Sequence, residues 1–297
     1  MTWQIAGKVV LVTGGNAGIG KATATALAAA GARVTIACRD AGRARQAQRD
    51  IERKTAIRVD VLALDLADLR SARAAAEAIG VRHRALHVLV NNAGVFSVDR
   101  RRETVDGFER HFGVNHLGHF ALTSGLLDLL GAEPPARIVN VASSGFELCP
   151  KGLPWDDLQW TSRYNGWVAY GASKLCNLYF TWELARRYAG AGITANVLHP
   201  GAVLTDLGRL RPEERDPGVT PPAPKPPVDL SSLTMLTPEQ GARGSVWLSA
   251  APELAGVTGA YFDDVQRQVA LTGIAADLDE AARLWRVSEG LLTELSS

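Results

Sequence analysis

A tyrosine and a lysine lie four residues apart in one apolar segment of the chain. In VAYGASKLCNLYF, residues 168–180, apolar side chains recur at intervals of three and four, which predicts a helix. Tyr170 and Lys174 then lie one above the other on a single face. A phenol has an ordinary pKa of about 10, so a tyrosine that exchanges a proton near neutral pH needs its anion stabilised. An ammonium one turn away can stabilise that anion, and we expect Lys174 to lower the pKa of Tyr170.

This spacing is weak evidence when it stands alone. With five tyrosines and six lysines in 297 residues, a Tyr-x-x-x-Lys arises by chance in roughly one sequence in ten. The alternative interpretation is a surface contact between neighbouring turns of a helix. The elements that would position the pair therefore decide between the two.

Short apolar runs alternate with longer helical patterns, which predicts repeated βαβ units around a parallel sheet. The predicted strands are residues 8–13, 33–38, 58–64, 87–92, 137–143, 193–199 and 259–262. The predicted helices lie near 18–30, 40–54, 68–79, 104–131, 168–190, 238–250 and 277–295. The expected fold class is α/β, a Rossmann-type doubly wound parallel sheet of about seven strands with helices on both faces. We expect residues 1–297 to form one domain.

Polar residues and glycines follow six of the predicted strands. Because parallel strands place their carboxyl ends at one edge of the sheet, these residues should meet there, where open α/β sheets bind ligands. In strand order they are 14–20, Arg39, Asp65, 91–94, Ser143 and 200–201. Chance could supply one or two such endings, but hardly all six.

The first of these loops predicts a pyrophosphate site. Its glycines let the backbone turn sharply, and the helix that follows offers free N–H groups and a positive dipole end. The spacing is Gly-x-x-x-Gly-x-Gly, which differs from the commonest dinucleotide fingerprint. The residues expected to form the site are Gly14, Asn16, Gly18, Ile19 and Gly20.

Several motifs together resemble the short-chain dehydrogenase/reductase family. They are TGGNAGIG at 13–20, NNAG at 91–94, Asn115, Ser143 and YGASK at 170–174. The resemblance covers nearly the whole chain. The segment DDLQWTSRYNGWVAYGASKLCNLYFTWEL, with HPG at 199–201 and LWRVSE at 284–289, is similar to the retinol-dehydrogenase-like and WW-domain-oxidoreductase-like branch.

The catalytic roles follow from the chemistry and from this resemblance. Tyr170 is expected to act as general acid in reduction and general base in oxidation, while Ser143 bonds and positions the substrate oxygen. The resemblance implies that Lys174 also bonds the nicotinamide ribose and that Asn115 holds a water linking Lys174 to solvent. Ser144 is the neighbouring alternative to Ser143, and alignment from Asn140 favours Ser143.

The resemblance also implies contacts to the rest of the cofactor. The residues are Asp65, Leu66, Asn92, Ala93, Gly94, Pro200, Gly201 and Thr205. The first two would meet the adenine, the next three would pass under its ribose, and the last three match a PG-x-x-x-T motif that holds the carboxamide. A turn or cap role for Asp65 and a helix-cap role for Thr205 or Asp206 are the alternatives.

The end of the second strand indicates which nicotinamide is used. An NAD site usually has an acidic residue there, and this chain has Cys38 followed by Arg39. A guanidinium suits a 2′-phosphate, so we predict NADP(H) as the cofactor. A solvated Arg39 is the competing interpretation. Asp40 complicates the assignment, although it suits the cap of the next helix.

Two segments depart from a minimal fold. Residues 144–169 form a long insertion between Ser143 and Tyr170, and it is rich in large apolar side chains: Phe146, Leu148, Leu153, Trp155 and Trp160. It predicts either an apolar pocket wall or plain packing against the core. A Pro-rich stretch at 211–230 can form neither helix nor strand, so we expect a substrate lid near 206–236, with a disordered loop as the alternative.

Composition excludes several classes of function. The formal net charge is +1, from 32 basic and 31 acidic residues, so no nucleic-acid partner is expected. The three cysteines match no metal spacing, and the histidines lack a carboxylate partner pattern, so no metal is expected.

No apolar run reaches about 18 residues and no signal-peptide pattern is present, so we expect a cytoplasmic protein without a membrane span. A homodimer or homotetramer through the helices near 104–131 and 168–190 would fit the resemblance.

The leading hypothesis is an NADP(H)-dependent carbonyl reductase or alcohol dehydrogenase that acts on a bulky apolar substrate. One alternative is an NADPH-binding sensor or scaffold without turnover. Another is a reductase of carbon–carbon double bonds on the same fold.

Overall fold

The computed structural model describes residues 3–203, 207 and 234–295. Within them lies one sheet in the order β3-β2-β1-β4-β5-β6-β7-β8. The strands are β1 Val9–Thr13, β2 Arg33–Cys38, β3 Asp60–Ala63, β4 Val88–Asn91, β5 Ala136–Val141, β6 Ile193–Leu198, β7 Tyr261–Phe262 and β8 Gln268–Val269. The first seven run parallel, and β8 pairs antiparallel with β7. The predicted parallel α/β sheet is confirmed. The eighth strand was not predicted, because two residues carry no detectable alternation.

Helices cover both faces of the sheet. They are α1 Gly18–Ala29, α2 Ala41–Thr55, α3 Leu69–Arg82, α4 Gly118–Ser124, α5 Leu127–Gly131, α6 Gly166–Tyr188, α7 Pro238–Ala250 and α8 Leu278–Glu294. A π-helical segment, Phe112–Leu117, leads directly into α4. The doubly wound arrangement predicted from the sequence is therefore present.

Two hydrophobic cores lie on opposite faces of the sheet. In β1 the alternating residues Val9 and Leu11 belong to one core, which includes side chains of α3, α4, α6 and α8. Val10 and Val12 belong to the other, which includes side chains of α1, α2 and α7. Both faces of the strand are buried, which explains why it reads as a continuous apolar run in the sequence.

The single helix predicted over 104–131 is wrong in its details. Thr104 donates its backbone N–H to the carbonyl of Phe108 at 2.8 Å, which closes a turn around Gly107, whose φ is +82°. The helical part then begins near residue 109 and passes through the π-helical segment. It is divided at Gly125, between α4 and α5. Apolar periodicity alone does not register these interruptions.

The predicted lid lies almost wholly outside the described residues. Leu236, at its end, donates its backbone N–H to the carbonyl of Ala202 at 2.7 Å. Among the helices that the structure describes, none is both long enough and apolar enough to cross a membrane.

Candidate active site

A cleft of about 340 Å³ lies at the carboxyl edge of the parallel strands. The predicted site residues that line it are Gly14, Asn16, Gly18, Ile19, Gly20, Arg39, Asp65, Leu66, Asn92, Ala93, Gly94, Ser143, Tyr170, Lys174, Pro200 and Gly201. Residues from six strand ends thus meet in one place, as the parallel topology requires. Thr205 lies outside the described residues.

The glycine loop between β1 and α1 is shaped for close approach of a ligand. Gly14 has φ +67° and Gly18 has φ +51°, a region that favours glycine. A Cβ on Gly20 would lie 2.4 Å from the carbonyl oxygen of Gly14, so no larger residue fits there. The residue before α1 is Ala17, which makes no side-chain cap bond. The first N–H groups of α1 therefore remain available to an anion, which fits a pyrophosphate.

Thr13 holds the end of β4 against the glycine loop. Its hydroxyl accepts the backbone N–H groups of Asn92 and Ala93, both at 2.9 Å. The side-chain amide of Asn92 donates back to the carbonyl of Thr13 at 2.8 Å. These bonds fix the floor of the cleft.

A row of side-chain amide hydrogen bonds crosses the sheet beneath this floor. Asn91 donates to the side-chain oxygen of Asn140 at 2.9 Å, and Asn140 donates to the hydroxyl of Thr181 at 2.8 Å. The row joins β4, β5 and α6, so the strand ends that carry the cofactor residues and the helix that carries Tyr170 keep a fixed relation.

Ser143 and Tyr170 both line the cleft and lie close to each other beside Gly145. The Ser143 hydroxyl accepts the backbone N–H of Gly145 at 3.0 Å. A Cβ on Gly145 would lie 3.0 Å from the Tyr170 ring, so this glycine permits the close approach. The alternative residue, Ser144, is exposed and does not line the cleft.

The protein's own groups raise the pKa of Tyr170, which is opposite to the direction predicted for Lys174 acting together with an oxidised nicotinamide. Burial of the phenol raises this pKa, and the hydrogen bond with Ser143 acts in the opposite direction. The Lys174 ammonium lies 5.7 Å from the centre of the Tyr170 ring. In the protein alone, removal of the phenol from water outweighs its polar contacts, and the lowering of this pKa with the oxidised cofactor bound stays a prediction.

Lys174 is itself almost fully buried. Its ammonium donates to the carbonyl of Val141 at 3.1 Å, and burial lowers its pKa to about 8. The cation is therefore held at the end of β5, one helical turn below Tyr170, and gains or loses its proton near physiological pH.

Asn115 lies behind the cleft wall and does not line it. Its side-chain oxygen accepts the backbone N–H of Val95 at 2.8 Å, and its amide donates to Ser173 at 2.9 Å. A Cβ on Gly94 would lie 3.3 Å from this oxygen and 3.8 Å from the Lys174 ammonium, so Asn115 and Lys174 flank the same glycine.

The far end of the cleft contains several charges. The guanidinium of Arg39 lies 3.7 Å from a carboxylate oxygen of Asp65. Asp65 also accepts the backbone N–H of Ala67 at 3.0 Å, so it has the alternative turn role as well. Asp40 accepts the backbone N–H of Arg43 at 2.9 Å and caps α2, as one interpretation of the sequence expected. Arg43 also lines the cleft and was not predicted.

The large side chains of the 144–169 insertion do not form the cleft wall. Phe146 and Leu153 are buried in one core, and Trp155 and Trp160 pack against it. None of them lines the described cleft, which favours the packing interpretation. Apolar surface at the cleft comes from other residues, Val114, Val203 and Leu207 among them.

Sequence reasoning missed the residues that support Tyr170 from behind. Phe96 packs edge-on against the Tyr170 ring with centroids 4.8 Å apart, and His111 does so at 5.8 Å. His119 bonds Thr13 at 2.9 Å and the carbonyl of Asn115 at 3.2 Å. In the sequence, only the four-residue spacing of Asn115 and His119 on one helix could have indicated that these two residues are in contact.

Within the described part of the chain, no group of three or more His, Cys, Asp or Glu could hold a metal ion.

The chain matches the family model of the short chain dehydrogenases over residues 8–152 and 159–216. It is 42% identical to human retinol dehydrogenase 14 over 298 aligned residues, which cover 95% of this chain and 85% of that protein. It is 44% identical to mouse retinol dehydrogenase 12, covering 97% of this chain and 87% of that protein. Among solved structures, an uncharacterised protein from Mycobacterium paratuberculosis has a TM-score of 0.75 and 33% identity, with 98% of this chain and 95% of that chain covered.

Proposed function

Since the chain belongs to the short-chain dehydrogenase family and to its retinol-dehydrogenase-like branch, we propose that it is an NADP(H)-dependent oxidoreductase for a bulky apolar carbonyl or alcohol. The observation that carries this proposal is the meeting of Ser143, Tyr170 and Lys174 at one end of the cleft. The nicotinamide cofactor supplies the hydride when it is bound.

The proposed proton chemistry uses the pair of hydroxyls. The substrate oxygen lies between Ser143 and Tyr170, where Ser143 orients it and Tyr170 exchanges its proton. Burial raises the pKa of Tyr170, so the phenol keeps its proton at neutral pH and is ready to donate it in reduction. The Lys174 ammonium then stabilises the phenolate that remains. This arrangement favours reduction as the working direction.

The proposed preference for NADP(H) rests on charge at the adenosine end of the cleft. Arg39 and Arg43 both line it, and Asp40 is engaged in capping α2. Two guanidiniums can form charge-assisted bonds to a 2′-phosphate, and neither suits a pair of free ribose hydroxyls as a carboxylate would.

The proposed substrate class rests on the apolar residues of the cleft and on the relatives. Val114, Val203 and Leu207 line the cleft, and Phe96 packs on the Tyr170 ring. The relatives are named for retinol, which is a long apolar alcohol. We therefore include retinal and retinol in the substrate class of this chain.

The test is a parallel assay with NADPH and NADH. The purified full chain is mixed with apolar aldehydes and ketones, retinal among them, and the loss of reduced-nicotinamide absorbance is followed. We expect turnover with NADPH that Tyr170→Phe abolishes without change in cofactor affinity. Tight NADPH binding with no turnover on any carbonyl would instead favour the sensor hypothesis. A product with a saturated carbon–carbon bond would favour the double-bond reductase.

A further inference from the structure

A second cleft, of about 500 Å³, lies at the opposite edge of the sheet from the active site. Lys8 and Arg33 stand at the starts of β1 and β2, and His87 precedes β4. The segment 82–84, at the end of α3, completes its wall together with Glu133. Because the strands are parallel, this amino edge is separated from the carboxyl edge by the length of the strands. We refer to it as the amino-edge cleft.

The amino-edge cleft has an excess of positive charge. Four of its lining side chains are cations: Lys8, Arg33, Arg82 and Arg84. In the part of the chain that the structure describes, none of the four forms an ion pair with a carboxylate. Arg82 donates to the carbonyl of Val61 at 3.3 Å, and Lys8 lies 5.6 Å from the centre of the Trp3 ring. The one carboxylate in the lining is Glu133.

Two histidines in this cleft offer polar atoms without full partners. His87 is 7% exposed, and its Nδ1 accepts the backbone N–H of Val9 at 3.2 Å. The neutral ring therefore carries its proton on Nε2, which lies 3.6 Å from Glu133, longer than a normal hydrogen bond. The Nε2 atom of His83 is buried and has no hydrogen-bond partner among the described residues.

Nearby cations oppose protonation of both rings, and nearby carboxylates favour it. Burial and the cations Arg33 and Arg82 lower the pKa of His83, against the opposing effect of Asp60. Burial, Lys8 and Arg33 lower the pKa of His87, against the effect of Glu133. The lining of the cleft contains four cations and one carboxylate, so its net charge is positive and a bound anion would neutralise part of it.

We propose that the amino-edge cleft binds a phosphate-bearing anion, with Lys8, Arg33 and Arg84 as counter-charges and the Nε2–H of His87 as a buried donor. Guanidiniums match phosphate oxygens in a bidentate fork, and several cations around one cavity suit a ligand with two or more negative charges. A diphosphate or a phosphomonoester has that charge in a compact volume. A single carboxylate would leave most of the positive charge unneutralised.

The experiment titrates the full chain with inorganic pyrophosphate and follows the imidazole NMR signals of His83 and His87. NADPH is kept in excess so that pyrophosphate does not occupy the glycine loop. We expect saturable shifts of both signals and a rise of both pKa values, because a bound anion stabilises the imidazolium forms. Arg33→Gln with Arg84→Gln should weaken the affinity by about 10-fold or more, since charge-assisted bonds are lost. Glu133→Gln should strengthen it.

The matched control removes two exposed guanidiniums elsewhere, with Arg45→Gln on α2 and Arg286→Gln on α8. Its pyrophosphate affinity should equal that of the unmodified chain. Equal losses in both double variants, or no saturable shift at His83 and His87, would overturn the proposal. Because the readout lies at the amino edge, it does not depend on whether the chain reduces any carbonyl.

A second arm identifies the source of the phosphate. Phosphatidylcholine vesicles with and without phosphatidic acid are compared in a sedimentation assay. Binding to the anionic vesicles that the Arg33→Gln/Arg84→Gln variant loses and the control retains would assign a lipid phosphate to the cleft. Pyrophosphate binding without vesicle binding would assign a free phosphate ligand. Vesicle binding that both double variants retain, without any pyrophosphate shift, would contradict the site.

Discussion

The Nδ1 atom of His119 lies 3.2 Å from the backbone carbonyl oxygen of Asn115. Because a carbonyl only accepts hydrogen bonds, Nδ1 carries the proton of the neutral ring. The other ring nitrogen, Nε2, then accepts the hydroxyl proton of Thr13 at 2.9 Å. The same hydroxyl accepts the N–H groups of Asn92 and Ala93. One neutral imidazole thus joins the helix that carries Asn115 to the floor of the cofactor cleft.

This neutral histidine should make stability depend on pH. Burial lowers the pKa of His119 to about 4 and that of His116 to about 3. In the unfolded chain both rings have a pKa of about 6.5, so below that pH the unfolded state binds more protons. The free energy of unfolding should therefore be highest above about pH 6.5 and fall as the pH decreases towards about 4, by an amount on the order of 3 kcal/mol for His119. Urea unfolding across this range measures it.

His119→Gln provides the comparison. The variant should be less stable at neutral pH, by about 1 to 3 kcal/mol, because a Thr13 or Asn115 partner is lost. Its free energy of unfolding should fall less steeply with decreasing pH, since one of the rings that becomes protonated on unfolding is gone. A decline as steep as that of the unmodified chain would show that His119 does not carry this pH dependence.

Gly145→Ala should impair turnover and leave the fold intact. The new methyl group would lie 3.0 Å from Cε1 of Tyr170 and 3.2 Å from the hydroxyl of Ser143. The two hydroxyls would move by a few tenths of an ångström, and small displacements of reacting groups are costly to rate. We expect kcat to fall by about 10-fold or more, with little change in the KM for NADPH. Steady-state kinetics with the best carbonyl substrate measure both constants.

Gly80→Ala is the matched control for that substitution. Gly80 lies in α3, and a Cβ there would have no atom within 4 Å. Its kcat should be unchanged, and its stability should rise slightly because alanine favours the helix. Normal turnover in Gly145→Ala would show that the Ser143 and Tyr170 geometry tolerates displacement.

Arg39→Ala should weaken the preference for NADPH over NADH. A lost charge-assisted bond to the 2′-phosphate corresponds to about a 10- to 100-fold rise in the KM for NADPH. The KM for NADH should change little, because that cofactor lacks the phosphate. Arg45→Ala removes an exposed arginine of α2 that does not line the cleft, and it should leave both constants unchanged. An equal rise for both cofactors would instead assign Arg39 a structural role through Asp65, 3.7 Å away.

The sequence predicts best what depends on local spacing and strand order. The glycine loop, Ser143, Tyr170 and Lys174 all follow strand ends or share one helix, so the parallel topology alone brings them together. The bridge through His119 joins residues 106 positions apart in the chain, and no periodicity encodes such a contact.

Burial is the quantity that pattern reasoning estimates least well. The sequence shows a cation next to Tyr170 but not how little water surrounds the phenol, and so it does not reveal that the protein alone raises this pKa. For the same reason the sequence could not decide whether Trp155 and Trp160 line a pocket or pack on the core. The structure places both against the core.

Lys174→Arg tests whether the lysine cation sets the alkaline limit of reduction. Burial lowers the pKa of Lys174 to about 8, so in the unmodified chain the ammonium is lost as the pH rises through that value. The reductive kcat/KM should then decline above about pH 8, because the phenolate formed at Tyr170 loses its neighbouring cation. A guanidinium keeps its charge to a pKa of about 12 or higher, so the decline should move to higher pH in the variant, with a lower plateau because the larger group fits poorly beside Val141. Lys151→Arg, at an exposed position, should retain the original profile. If the inflection stays near pH 8 in Lys174→Arg, another group controls it.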